Sequence, residues 1–264
     1  MFRTTEISLP EFESNHLRFI TVKSKHLKGR GDICVFVPPL ANLENIPLVI
    51  LLHGVYGSSW AWSLKGGVHI TAWELMQKGI IDPMVIAMPS DGLWGDGSAY
   101  VPHTDRNYEK WIAEDVPKAV VENINHLSEQ SLMFIGGLSM GGFGALRLGI
   151  KYSDKFTAVS AHSSITSIEQ MPLFVEEPPE VYHQTNKNER SIYQIVHEHS
   201  DKLPGLRFDC GTEDVLIKEN RRLHEQLKTD NIEHIYEEFS GAHEWPYWQE
   251  HIKDSLIYFN SKKS

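Results

Sequence analysis

Four short runs, PLVILL (47–52), PMVIAM (83–88), SLMFIG (131–136) and FTAVSA (156–161), are dominated by apolar or small residues and show little alternation with charge. A strand with that pattern is buried on both faces, so helices must cover each side of the sheet it joins. LRFITV (17–22) and DICVFV (32–37) precede these runs, and LRFDCG (206–211) and HIYEEF (234–239) follow them. From the third run onward the intervals are long, and most carry a helical pattern, at about 72–78, 108–127, 141–152, 216–228 and 245–260. Strand and helix in alternation predict a mainly parallel sheet with helices on both faces. The first two runs, joined by a short polar stretch, predict an antiparallel meander at one edge. The expectation is an α/β fold with eight strands.

With 264 residues, 41% of them hydrophobic, the chain has enough apolar material for one core, so residues 1–264 are expected to form a single domain. The interval 163–204 breaks the rhythm, because it holds PLFVEEPPEVYHQTNKNER before a short helical piece, SIYQIVHEH. It is expected to be a lid-like insertion after the sixth strand. A net charge of −10 without a basic patch disfavours nucleic acid and anionic membrane surfaces. Two cysteines, Cys34 and Cys210, sit in apolar segments and fit buried thiols in a reducing compartment. The first residues, MFRTTEISLP, have no apolar signal core, and no run approaches the length of a membrane span. These features predict a soluble, cytoplasmic protein whose partner is a small molecule, and they allow self-association into a homo-oligomer.

The run SLMFIG is followed by Gly137-Leu138-Ser139-Met140-Gly141-Gly142 and then by a helical pattern. Strand, G-x-S-x-G and helix in that order are the context of a nucleophile elbow, in which a sharp turn lifts the serine hydroxyl above the sheet. Serine is a weak nucleophile at neutral pH and needs a base that a carboxylate orients. Asp214 follows the run LRFDCG and His243 follows HIYEEF, so both are expected beyond the carboxyl ends of strands, where open α/β sheets build their sites. Ser139, Asp214 and His243 are therefore the expected catalytic residues. Glu213 beside Asp214 is a weaker alternative, and Asp209 is expected to point into the core. His53 is expected to be structural, whereas His162 lies close enough to the sheet edge to line the site.

Acyl transfer also needs hydrogen-bond donors for the oxyanion of the tetrahedral intermediate. The amide of Met140, at the helix start, is one candidate. The turn His53-Gly54-Val55-Tyr56-Gly57 should supply the other, and Val55 is the best choice within a turn where an adjacent residue could serve instead. Among the aromatics of the same edge, Tyr56, Trp60 and Trp245 are candidate substrate contacts, and Trp248 is expected to pack. The loop at 90–98 has two aspartates but no calcium-binding alternation, and the chain contains neither H-E-x-x-H nor a cysteine pair, so no metal is expected.

At these residues the sequence resembles the esterase branch of the α/β-hydrolases, which includes tributyrin esterases, S-formylglutathione hydrolases (esterase D), feruloyl and acetylxylan esterases and mycolyltransferases. The resemblance is carried by LLHGVYG, NYEKWIAEDVPKAV, GLSMGGFGA, CGTEDVLIKEN and FSGAHEWPYW, and so spans most of the chain. It implies an eight-stranded α/β-hydrolase fold, a Ser139–Asp214–His243 triad, oxyanion amides from Val55 and Met140, and no cofactor. The tributyrin-type esterases look nearest. Leu138 before the serine and Tyr56-Gly57 in the oxyanion turn depart from the esterase D pattern. A serine carboxylesterase for short-chain acyl esters, with carbohydrate esters as one class of substrate, is the expected function. The alternatives are a non-catalytic binding protein on the same scaffold, or a formylglutathione hydrolase or acyltransferase using the same triad.

Overall fold

The computed structural model describes residues 2–263. Among them are the strands β1 (Thr5–Ile7), β2 (Leu17–Ser24), β3 (Gly29–Phe36), β4 (Leu48–Leu52), β5 (Val85–Pro89), β6 (Met133–Leu138), β7 (Phe156–His162), β8 (Gly205–Gly211) and β9 (Ile235–Phe239). They form one sheet in the order β1-β2-β3-β5-β4-β6-β7-β8-β9. The pairings from β5 through β4 to β9 are parallel, and those joining β1, β2, β3 and β5 are antiparallel.

The sheet has one strand more than the eight its apolar runs predict, and the segment 163–204 consequently follows the seventh strand. The additional strand is β1, which pairs with β2 from Thr5↔Val22 to Ile7↔Ile20. A three-residue edge strand needs only one neighbour and little burial, so no apolar run marks it.

The period of two in a buried strand distributes side chains to two cores. In β4, Leu48, Ile50 and Leu52 enter one core, and Val49 and Leu51 enter the other. The first core is covered by α3 (Val116–Asn123), α4 (Met140–Lys151), α5 (Ile192–Glu198) and α6 (Ile217–Thr229). The second lies under α1 (Val68–Gln77) and α7 (Trp245–Ser261).

The helical pattern at 108–127 folds as α2 (Tyr108–Lys110), a π-helical turn at Trp111–Asp115, and α3. Pro117 explains the widened turn, because it has no N–H to donate to the Ala113 carbonyl. That carbonyl instead accepts from Lys155 Nζ at 3.2 Å.

Segment 163–204 contains tight 3₁₀ turns at Ile168–Leu173, Pro179–Tyr182 and Lys187–Arg190 before α5. Ile168, Met171, Tyr182, Ile192, Ile195 and Val196 anchor it in the first core. Its Glu189 pairs with Lys151 and with the fully buried Arg147 of α4, which also meets Glu109 of α2. The helix that follows Ser139 is thereby tied to the segment that borders the site.

Candidate active site

Ser139 joins β6 to α4 with φ 54° and ψ −120°, a conformation costly for a residue with a Cβ. The neighbouring glycines make the turn feasible: a Cβ at Gly137 would overlap the Gly141 carbonyl, and one at Gly141 would overlap the Leu52 carbonyl. The turn holds the Ser139 hydroxyl at the carboxyl edge of the sheet, where the loops after β8 and β9 bring Asp214 and His243.

His243 Nε2 lies 2.9 Å from Ser139 Oγ, and His243 Nδ1 lies 2.9 Å from Asp214 Oδ2 and 3.1 Å from Oδ1. The consistent assignment has Nδ1–H donating to the carboxylate, which leaves Nε2 to accept the serine proton. Asp214 Oδ1 also accepts from the Leu216 amide at 2.8 Å. Burial works to raise the Asp214 pKa, but the bonds from His243 and Leu216 outweigh it and hold the carboxyl below the usual aspartate range. Glu213 is instead exposed, and its carboxylate accepts from Thr212 and the Gly241 amide.

Among the described residues, neither the Val55 amide nor the Met140 amide donates to an acceptor in the chain. Its neighbour Tyr56 is different, since its N–H is spent on Asp96 O at 2.8 Å. Both amides named from the sequence are thus without an acceptor among the described residues. His53 braces the same turn: Nδ1–H donates to Gly54 O at 2.7 Å, and Nε2 accepts from the Asp91 amide at 3.1 Å. Asp91 accepts in turn from the amides of Leu93 and Ser98, so its loop is ordered by its own backbone bonds.

A cleft of about 420 Å³ opens above Ser139, lined by Val55, Tyr56, Trp60, Lys65, Leu138, Phe174, His243, Trp245 and Trp248 among others. Two roomier depressions, of about 500 and 550 Å³, contain none of the three relay residues. Trp60 is 44% exposed on the cleft wall. Trp245 meets Trp62 and Trp248 edge to face, with Lys65 Nζ 5.4 Å from its ring centre. Trp248 is buried as expected of a packing residue, yet it also lines the cleft and meets the His243 ring. Tyr56 borders the cleft, but its hydroxyl donates to Phe174 O at 2.9 Å.

Phe174 has no counterpart among the site residues expected from the sequence. Its only local signal is one ring within PLFVEEPPE. A second surprise is His162, which does not line the cleft but lies beneath it, paired at 2.8 Å with Asp209, which faces the core as expected. Asp209 also accepts from Arg207 Nη1 at 2.6 Å and Tyr247 OH at 2.8 Å, while His162 Nε2 meets Ser255 Oγ at 2.7 Å. The His162 carbonyl accepts the Ser139 amide at 3.0 Å, linking this network to the elbow. Burial alone would raise the Asp209 pKa, but His162 and Arg207 hold it below the usual range.

Glu109 behaves likewise, with burial opposed more strongly by Arg147, Tyr152 and Lys151. For Asp209, Asp214 and Glu109 the folded pKa lies below the unfolded value of about 4. The unfolded chain therefore binds more protons in that window. Their stabilisation is fully present above it and is lost as pH falls through the folded values. Urea midpoints measured from pH 7 to 3 are expected to drop mainly below about pH 4.5. A midpoint that stayed level there would contradict the assignment.

A mixed sheet with a strained serine between β6 and α4, and a His–Asp relay from the loops after β9 and β8, defines the class of α/β-hydrolases. The chain belongs to the Esterase family, whose sequence profile, described as "Putative esterase", matches residues 24–259. It is 28% identical over 233 residues to an acetyl esterase of Caldicellulosiruptor saccharolyticus, covering 81% of this chain and 83% of that one. Its fold resembles a ferulic acid esterase with a TM-score of 0.81 at 23% identity, covering 98% of both chains. An S-formylglutathione hydrolase from Staphylococcus aureus superposes with a TM-score of 0.79 at 19% identity, covering 96% of this chain and 98% of the other. The protein is a carboxylesterase-type hydrolase. No helix among the described residues is long and apolar enough to cross a membrane.

Proposed function

We propose that Ser139 is the nucleophile of a two-step hydrolysis of short-chain acyl esters. Ser139 Oγ attacks the acyl carbon as its proton passes to His243 Nε2. Asp214 keeps the imidazole in the required tautomer and stabilises its positive charge. The amides of Val55 and Met140 receive the oxyanion, and His243 returns the proton to the departing alcohol. Water then enters, gives its proton to His243, attacks the acyl carbon, and releases the acid as Ser139 regains its hydrogen. The observation that carries this reading is the hydrogen-bonded Ser139–His243–Asp214 relay at the base of an aromatic cleft.

Acetyl to butyryl esters are the proposed substrates. A cleft of about 420 Å³ lined by aromatic rings supports that range, as does the similarity to a protein named acetyl esterase. Trp60 and Trp245 present ring surface to the cleft and support a carbohydrate leaving group, since sugar faces stack on indoles. The segment 163–204 is in this reading a lid-like insertion within a single domain, and it borders the cleft through Phe174. Two buried, unpaired cysteines support a cytoplasmic location.

The test is hydrolysis of p-nitrophenyl acetate, butyrate, octanoate and palmitate. Specificity (kcat/KM) is expected to peak at acetate or butyrate and to fall roughly tenfold or more by octanoate, because each unaccommodated methylene forfeits about 1 kcal/mol or more. Fastest turnover of the long esters would overturn the acyl assignment.

A further inference from the structure

We propose that Phe174 is a positioning residue that holds the His243 imidazole in line for proton transfer to the leaving group. The inference rests on the esterase reading and assigns segment 163–204 a part in the reaction. The Phe174 ring lies over the His243 ring, with centroids 5.1 Å apart and planes 26° from parallel. Trp248 meets the same imidazole at 5.1 Å and 89°. The bonds to Ser139 and Asp214 orient the imidazole within its own plane. A ring on its face opposes tilting out of that plane, which those two bonds resist only weakly.

Phe174 is itself clasped by two other loops. Tyr56 OH donates to the Phe174 carbonyl at 2.9 Å and lies 3.3 Å from Asp96 Oδ2. Asp96 Oδ2 accepts from the Glu176 amide at 2.8 Å, and the Asp96 amide donates to Glu177 Oε1 at 2.8 Å. The oxyanion turn and the loop after β5 therefore fix the piece of chain that covers the histidine. The placement also suits the charge of the reaction, because the imidazole becomes cationic in each half and an aromatic face attracts a cation while excluding water.

Misalignment should cost most where the departing oxygen needs its proton. An alkoxide leaves only as the alcohol, taking the proton from His243 Nε2, whereas p-nitrophenolate leaves without one. Ethyl butyrate and p-nitrophenyl butyrate share the same butyryl-enzyme, so their kcat/KM values separate acylation from the common second step. For Phe174→Ala, kcat/KM on ethyl butyrate is expected to fall on the order of thirtyfold, part of the 10² to 10⁴ that general acid–base catalysis supplies. The loss on p-nitrophenyl butyrate should be several times smaller. Phe174→Tyr keeps the ring and should restore activity to within about threefold of wild type. Tyr56→Phe removes only the hydroxyl of the clasp, and should show a weaker loss with the same bias toward the ethyl ester.

Equal losses on both esters, or a rise in KM with kcat unchanged, would mean that Phe174 is a wall and overturn the proposal. If Phe174→Ala does not fold, an unbiased Tyr56→Phe overturns it equally. An active wild type with an unaffected Phe174→Ala defeats this inference alone. A folded wild type inert on every ester defeats the esterase reading and this inference with it.

Discussion

Ser139→Ala is expected to lower kcat on p-nitrophenyl butyrate by roughly 10⁴ to 10⁶ while leaving the protein folded. The size follows from the role proposed for the hydroxyl: in that mechanism no acyl-enzyme forms without Oγ, and the remaining rate comes from oxyanion donors and binding acting on a water molecule. Stability should barely move, because the side-chain oxygen has one partner, His243 Nε2, and the alanine keeps the Cβ for which the turn is already shaped. A thermal midpoint within about 3 °C of wild type, combined with near-complete loss of turnover, is the expected pair of results. Residual activity within tenfold of wild type would place the nucleophile elsewhere and sink the mechanism.

Two buried aspartates, each bonded to a histidine, are expected to fail in different ways when changed to asparagine. Asp214→Asn can donate its amide hydrogen to His243 Nδ1, which leaves the proton on Nε2 facing Ser139 and unable to receive another. A fall in kcat of about 10⁴ is expected, with a loss of stability smaller than that of Asp209→Asn. Asp209→Asn removes the charge that Arg207 and His162 share in a site with no access to solvent. Breaking one side of a buried ion pair costs about 3 to 5 kcal/mol, so the urea midpoint should fall sharply. The kcat per folded molecule, measured at low temperature, should stay within tenfold of wild type, because Asp209 touches neither Ser139 nor His243. The reverse pattern, with activity lost through Asp209 and stability through Asp214, would exchange their roles.

The distinction between those aspartates was partly visible in the sequence. Asp214 lies after a strand, shortly past Gly211 and Thr212, where the chain turns, whereas Asp209 lies inside LRFDCG and had to face a core. Arg207 lies two residues away on the same strand, but the rest of the company Asp209 keeps could not be read, since His162, Tyr247 and Ser255 come from two other elements. The helix at 108–127 shows the same boundary at smaller scale. Its helical character follows from side-chain spacing, but the π turn depends on the missing N–H of Pro117 and on a lysine from beyond β6 that reaches the freed carbonyl. The short β1 escaped notice because three half-exposed residues carry no burial signal, and its pairing is decided by the edge of β2.

Local chemistry by itself determined the order of strands and helices, the strained serine with its glycines, and the acid and histidine that follow the last two strands. Each depends on the backbone or side chain of a few consecutive residues, through periodicity, steric room or ionisation. Tertiary structure alone decided that Phe174 covers His243, that the Tyr56 hydroxyl holds the Phe174 backbone, and that His162 turns down to Asp209. Those contacts join residues from separate loops whose meeting depends on how the whole sheet twists and stacks its helices, and no local pattern records that distance.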